Sequence, residues 1–359
     1  MSATALDERK VPPSDIPWPE NELQSQQTCP VCGASERSAL YRDLVDNVFF
    51  CAPGKWTSWR CSACGSAYLD PRPSPASIHL AYATYYTHGE AAPKADYADL
   101  SSFRKIRRRL VNGYTNWRFS TNEQPASRLG VLALSVARTQ RDRLHQEYRH
   151  LPPRRRVGKV LDIGCGNGAF LRIAGSCGWE TFGVDPDPEA VETCVRQGSN
   201  VRLGGAEQFC DESGSFDVIT MNHVIEHLHD PIAVLKMCNR LLKPDGRLWL
   251  ETPNIDSLGH RRYGRDWRGL EPPRHLVLFN SRSLTMALHD AGFARIADRG
   301  GAMSLASITK ASEAIRRALP VGAGVELSVG QSLMVTKNEI AQRIVPSVRE
   351  FLTFVAFKR

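Results

Sequence analysis

Residues Val157 to Ala169 read Val-Gly-Lys-Val-Leu-Asp-Ile-Gly-Cys-Gly-Asn-Gly-Ala, a short apolar strand that closes on a carboxylate and runs into three alternating glycines. Glycine takes positive φ and leaves no Cβ in the way, so the backbone can approach a ligand while the next helix starts close to the sheet. Gly164, Gly166 and Gly168 therefore predict a nucleotide-binding turn inside a βαβ unit. A diphosphate wants bare amide donors at the helix start. Asp162 beside the glycines instead suits a ligand with hydroxyls or a positive charge. The spacing Gly164-x-Gly166-x-x-Ala169 also satisfies the looser dinucleotide pattern, so this turn alone leaves NAD open.

S-adenosylmethionine carries both hydroxyls and a positive charge. Trp179 to Asp185 reads as the second strand of the unit and ends on an acid about 20 residues past the glycines, where a ribose diol is held. The pieces Leu161-Asp-Ile-Gly-Cys-Gly-Asn-Gly168, Gly183-Val-Asp185, Phe216-Asp-Val-Ile219, Glu226-His227 and Leu242-Lys-Pro-Asp-Gly246 follow in order. With them the chain resembles the class I S-adenosylmethionine-dependent methyltransferases over residues 155 to 300. The resemblance implies an α/β fold, a Rossmann-like seven-stranded sheet with helices on both faces. It also implies that Gly164, Cys165, Gly166 and Gly168 wrap the methionine part, with Asp162 near its ammonium and Asp185 on the ribose hydroxyls. Adenine recognition uses an Asp-Ala pair in such enzymes. Here Gly205 stands in place of the acid, leaving the Ala206 amide and Glu207 as substitutes, while Asn222 and His223 face the cofactor. The competing structural role for Asp162 and Asp185 is helix or turn capping.

Four of the ten cysteines form two knuckles, Cys29-Pro-Val-Cys32-Gly33 and Cys61-Ser-Ala-Cys64-Gly65. Both thiolates of each can face one ion, and two knuckles complete a closed, structural tetrahedral Zn2+ site. Cys51 between them is an alternative ligand; Cys165, Cys177, Cys194, Cys210 and Cys238 sit among apolar residues and read as core fillers. The expected organisation is a disordered, proline-rich arm at 1–27, a zinc-binding module at 28–70, a helical basic linker region at 71–155 and the methyltransferase domain at 156–359.

Charge is uneven. Ser101 to Val160 holds 15 Lys and Arg against 3 Asp and Glu, while the whole chain is only +8, so the excess basicity is local. Arg104 to Arg109 and Arg154 to Arg156 fit a solvated helical face, an anionic membrane surface or glycan, or RNA. Zinc module, basic stretch and methyltransferase pattern together are similar to certain ribosomal RNA methyltransferases. The segment Tyr263 to Leu276 instead resembles the loop of a bacterial methyltransferase subgroup that modifies sugars, glycolipids and secondary metabolites, which makes a nucleic-acid partner the weaker expectation. Met1 to Glu20 has no apolar h-region, so a cytoplasmic placement is expected, peripheral to the inner membrane face if the basic stretch binds lipid.

For chemistry, His223, Glu226 and His227 at i, i+3 and i+4 predict one helix face. Certain ubiquinone-pathway O-methyltransferases are similar here, with an acid at the position of His223 and a divalent cation on that face. The catalytic candidates are Glu226, His227 and, on the loop beside Arg274, His275 as proton acceptor. Phe293 to Asp298 and Glu350 to Phe357 read as the last two strands, with a helical insertion at about 300–348 between them. The expected function is methyl transfer from S-adenosylmethionine to a hydroxyl of a sugar, glycolipid or lipid-linked glycan. The alternatives are an RNA methyltransferase and a zinc-ribbon interaction protein with an inactive methyltransferase domain.

Overall fold

The computed structural model describes residues 13–82, 97–153, 157–300 and 305–359. Its first part holds five short strands, β1 (Leu23–Gln24), β2 (Arg37–Leu44), β3 (Trp56–Cys61), β4 (Ala67–Leu69) and β5 (Arg72–Pro73). Three helices follow: α1 (Ser102–Phe119), α2 (Leu129–Val136) and α3 (Arg138–Glu147). Alternating strands and helices come next: β6 (Lys159–Ile163), α4 (Ala169–Ser176), β7 (Glu180–Asp185), α5 (Pro188–Arg196), β8 (Asn200–Leu203), β9 (Phe216–Asn222), α6 (Pro231–Leu241) and β10 (Leu242–Pro253). The chain ends with α7 (Leu258–Tyr263), β11 (Val277–Leu278), α8 (Ser281–Asp290), β12 (Phe293–Asp298), α9 (Leu305–Arg316), α10 (Val329–Ile344) and β13 (Phe351–Lys358).

The main sheet has the order β12-β13-β10-β9-β6-β7-β8. Strands β8, β7, β6, β9 and β10 run parallel, and β13 is antiparallel to both β10 and β12. This is the class I methyltransferase sheet, with helices on both faces. Its helices start where the sequence supplies caps: Asp187 accepts from the Glu189 amide, Asp230 from the Ala233 amide, and Asn280 forms a capping box with Ser283. One face of the sheet buries Leu235, Cys238 and Leu241 of α6 with Leu284 and Leu288 of α8, and Phe182, Phe209 and Phe216 pack edge-to-face in the same cluster.

The opposite face corrects the expectation of a linker at 71–155. Tyr114, Phe119, Leu134, Leu144 and Leu151 are buried against Val160, Phe170, Trp179 and Val218, so α1 to α3 form a packed helical layer. Helices α1 and α2 meet backbone to backbone, because a Cβ on Gly113 would lie 1.8 Å from the Ser127 carbonyl oxygen and one on Gly130 would lie 1.9 Å from that of Leu110. The expected arm also differs over its described part: Trp18 is buried edge-on against Trp56, with ring centroids 5.2 Å apart, and β1 pairs with β5. Residues 1–12, Tyr85, Tyr86 and Arg154 to Arg156 lie outside the described residues. The cysteine module does not end at residue 70 as a structural unit, since β11 pairs with β4 and completes the sheet β11-β4-β3-β2. Cys210 is exposed rather than a core filler, whereas Cys165, Cys177, Cys194 and Cys238 are buried. Among the described residues no helix is long and apolar enough to cross a membrane.

Candidate functional site

All ten expected cofactor residues lie at the carboxyl ends of the parallel strands or in the turns just beyond, where open α/β sheets bind ligands. Gly164, Gly166 and Gly168 have φ of 69°, 51° and 73°. A Cβ on Gly166 would meet nothing within 4 Å, so the turn borders open space there, whereas one on Gly164 would lie 2.5 Å from Val224 and one on Gly168 3.0 Å from Cys194. The Gly166 amide donates to Asp185 Oδ2 at 2.8 Å, and the Asp187 amide to Asp185 Oδ1 at 3.0 Å. Asp162 is fully buried; its Oδ1 accepts from Thr220 Oγ1 at 2.8 Å and from Arg149, and its Oδ2 has no hydrogen-bond partner. At the adenine end, the Gly205 amide donates to Glu207 Oε1 at 2.6 Å. A Cβ on Gly205 would lie 2.6 Å from Glu207 Oε2, so the Glu207 carboxylate occupies the space that an acid at position 205 would fill.

The expected helix face of His223, Glu226 and His227 is not formed. His223 follows β9 with φ 55°, and Ile225–His227 is a single 3-10 turn, so the two histidines diverge. His223 lies between two buried acids, with Nδ1 3.3 Å from Glu226 Oε1 and Nε2 3.7 Å from Glu251 Oε1. Burial lowers the basicity of His223, but the Glu226 hydrogen bond and the Glu226 and Glu251 charges outweigh it and raise its pKa. Burial likewise opposes ionisation of Glu226, yet the hydrogen bond from His223 and the neighbouring histidines hold its pKa at about 2.

His227 turns toward the 263–276 loop. Its Nδ1 is 3.0 Å from the Arg274 carbonyl oxygen and 3.1 Å from the Tyr82 hydroxyl. A carbonyl only accepts, so Nδ1 carries the proton and Nε2 keeps the lone pair. The same holds for His275, whose Nδ1 lies 2.8 Å from the Gly269 carbonyl oxygen. Glu226, His227 and His275 each offer a ligand atom within 4.8 Å of the others, so the cluster the structure brings together has His275 in place of His223. Burial pushes the His275 pKa down to about 4 despite the nearby Glu271 carboxylate.

The loop that carries His275 rests on the cysteine module. Arg274 is completely buried, paired with Asp46 and with Glu271 Oε1 at 3.0 Å, and donates to the Ala81 carbonyl oxygen at 2.7 Å. Asp46 also accepts from the Cys51 and Ala52 amides at 2.9 and 3.0 Å, and its pKa falls to about 2 because the Arg274 contacts outweigh burial. In the module the four knuckle cysteines converge, with Sγ separations of 3.6 Å for Cys29–Cys64 and 3.5 Å for Cys32–Cys61. A tetrahedral ion with bonds of about 2.3 Å needs ligand separations of about 3.8 Å, so this donor set fits a structural metal. Cys51 is not in the cluster and instead contacts the Ala81 carbonyl and Arg274.

Comparison with known proteins agrees with the sheet. Residues 136–297 match the family described as "Methyltransferase domain". Over 103 residues it is 37% identical to a ubiquinone biosynthesis O-methyltransferase of Xanthomonas oryzae, covering 27% of this chain and 43% of that protein. It is 39% identical over 103 residues to the Pseudomonas aeruginosa protein of the same name, covering 27% and 44%. The chain thus spans less than half the length of these relatives. A solved structure, an S-adenosylmethionine-dependent methyltransferase from Archaeoglobus fulgidus, is similar at 22% identity and a TM-score of 0.41, covering 65% of this chain and 95% of that one.

Several residues of the domain's cleft escaped the sequence reading. Arg149, beside Asp162, is one cation in a strongly basic stretch, and nothing in the pattern singles it out. Glu251 had a signal: it is a lone acid in the apolar run Leu248 to Thr252, which marks a carboxylate with buried partners, here Thr353 Oγ1 at 2.6 Å and Gln146. Tyr82 and Asp46 reach the cleft only through contacts distant in sequence, whereas Glu271 pairs with Arg274 three residues along the same loop.

Proposed function

We propose that the chain transfers a methyl group from S-adenosylmethionine to a hydroxyl of a sugar, glycolipid or lipid-linked glycan. The observation that carries the cofactor reading is the buried, unpartnered Asp162 Oδ2 next to a positive-φ glycine turn that opens on free space at Gly166. An ammonium group would supply the missing donor. Bound S-adenosylmethionine provides an electrophilic methyl on a sulfonium. Asp185 would accept from the ribose hydroxyls, Glu207 would accept from the adenine edge and the Ala206 amide would donate to it, and Asn222 and His223 would line the methyl-bearing end. Four thiolates, Cys29, Cys32, Cys61 and Cys64, would hold a structural Zn2+ that supports the acceptor loop. The acceptor class rests on the resemblance of the 263–276 loop, with the O-methyltransferase names of the relatives in support.

The protein's own chemistry is then alignment and removal of the hydroxyl proton. His227 suits the base role, since its tautomer leaves Nε2 free and its ring is only partly buried. His275, buried and with a pKa near 4, is a weak base at neutral pH and serves as support. A second reading has an observation in its favour: Glu226, His227 and His275 each offer a ligand atom within 4.8 Å of the others, which is also a donor set for a divalent cation. With glycan acceptors, His227→Ala is expected to lose ~100-fold or more in turnover with cofactor affinity intact, and His275→Ala less. Equal, few-fold effects of both overturn the base assignment. Activity that requires added Mg2+ or Mn2+ establishes the cation instead.

A further inference from the structure

The helical layer α1 to α3 has an outer surface that the methyltransferase reaction does not use. Phe103, Ile106, Leu129, Leu132 and Val136 are 58% to 85% exposed, although they belong to the packed α1–α2 pair. Large apolar side chains scattered singly on a surface are ordinary, but five on two helices in backbone contact make a patch that marks an interaction surface. The charge on the two helices themselves has one sign. Helix α1 carries Arg104, Lys105, Arg107, Arg108 and Arg109 and contains no Asp or Glu, and α2 contains no charged residue at all. Beside α2, Val136, Ala137, Arg138, Thr139, Gln140 and Arg143 line an open hollow of about 450 Å3, with two guanidinium groups and two neutral hydrogen-bonding side chains. Acids along this layer include Asp99 just before α1, Glu123 between α1 and α2, and Asp142 on α3, which is paired with Arg141.

We propose that this α1–α2 surface docks the protein on an anionic lipid bilayer. Basic side chains beside exposed aromatic and aliphatic ones match the interface of an acidic membrane, where the apolar groups enter the acyl boundary and the cations stay at the headgroups. The hollow at the α2–α3 junction fits a phosphate headgroup between Arg138 and Arg143. A nucleic acid would use the cations but gain little from Ile106, Leu129, Leu132 and Val136, because single strands are held by backbone charge and by stacking on aromatic faces. The surface is connected to the cleft. Helix α3 starts at the hollow, and its far end, about 15 Å away at 1.5 Å per residue, gives Gln146 and then Arg149, which contact Glu251 and Asp162. Docking would hold the cofactor cleft within reach of the membrane surface. The proposal goes beyond methyl transfer and stands whatever hydroxyl is methylated.

The test is co-sedimentation of the full chain with phosphatidylcholine vesicles, with and without phosphatidylglycerol, at low and high salt. Binding is expected only with phosphatidylglycerol, weakening as salt rises. The triple variant Arg104→Glu/Arg107→Glu/Arg109→Glu should bind ~100-fold more weakly, and Leu132→Ser/Val136→Ser ~10-fold more weakly. S-adenosylmethionine affinity and the circular dichroism spectrum, unchanged in both, keep a folding defect apart from a docking defect. Equal binding with and without phosphatidylglycerol, unaltered binding by the triple variant, or no vesicle binding together with RNA binding lost in the same variant overturns the proposal.

Discussion

The two halves of the cleft are built in opposite ways. On the cofactor side, Asp162, the three glycines and Asp185 come from one βαβ unit; the Gly166 amide reaches Asp185 across 19 positions, and Asp162 takes the Thr220 hydroxyl across 58. On the acceptor side, Asp46, Tyr82, His227 and Arg274 meet across 47 to 228 positions, around charges that are wholly out of solvent. A short-range site survives as long as its strand and turn survive. A long-range one depends on every unit it joins, and here the cysteine module is one of those units.

That contrast is most sharply broken or confirmed at the cysteines. Cys64→Ser, or removal of the metal by a chelator, should release about one metal equivalent and unfold the module, because small metal modules draw their folding energy from the ion. Methyl transfer should fall to background while S-adenosylmethionine still binds with near wild-type affinity by calorimetry. Loss of cofactor binding in that variant would show that the two halves are one cooperative unit.

The next effect is smaller and lies at the joint. Asp46→Asn leaves Arg274 buried with only Glu271 to pair it, and should lower unfolding free energy in urea by roughly 3 kcal/mol, the scale for breaking a buried ion pair. Acid gives the same test without mutation. The folded Asp46 pKa, about 2, lies below its ordinary value of 3.8, so its stabilising contribution is present above about pH 4 and is lost as pH falls toward 2. The wild-type transition should steepen over that window relative to the Asn variant.

The smallest expected change tests the local half. Asp185→Ala should weaken S-adenosylmethionine binding by roughly 1.5 to 3 kcal/mol, as for a lost charged hydrogen bond, with thermal stability little changed. Unchanged affinity by titration would remove Asp185 from the cofactor site.

Legibility followed the same line. The glycine turn, Asp185, the Pro-Asp-Gly turn before β10 and the knuckle cysteines were readable, because each is a spacing rule that acts within one or two elements. The helix expected from His223 to His227 was not formed, because the 3.6-residue spacing was outweighed by tertiary partners. Glu226 takes the Thr252 hydroxyl at 2.9 Å, and His227 takes the Arg274 carbonyl; together they pull the turn tight. The stretch read as a helical basic linker region shows the limit of charge as a guide, since Arg104, Arg107 and Arg109 are exposed while Arg149 turns in to Asp162 and Tyr114, Phe119 and Leu144 are buried against Phe170 and Trp179.

What the linear pattern carried, then, was the α/β class, the glycine turn and the cysteine cluster, all set by backbone conformation and fixed spacing. The fold alone paired Arg274 with Asp46, set His275 beside Glu226 and His227, and seated Arg149 on Asp162. Buried charges and tautomers are decided by whichever groups close the cavity around them, and those groups come from segments with no local reason to meet.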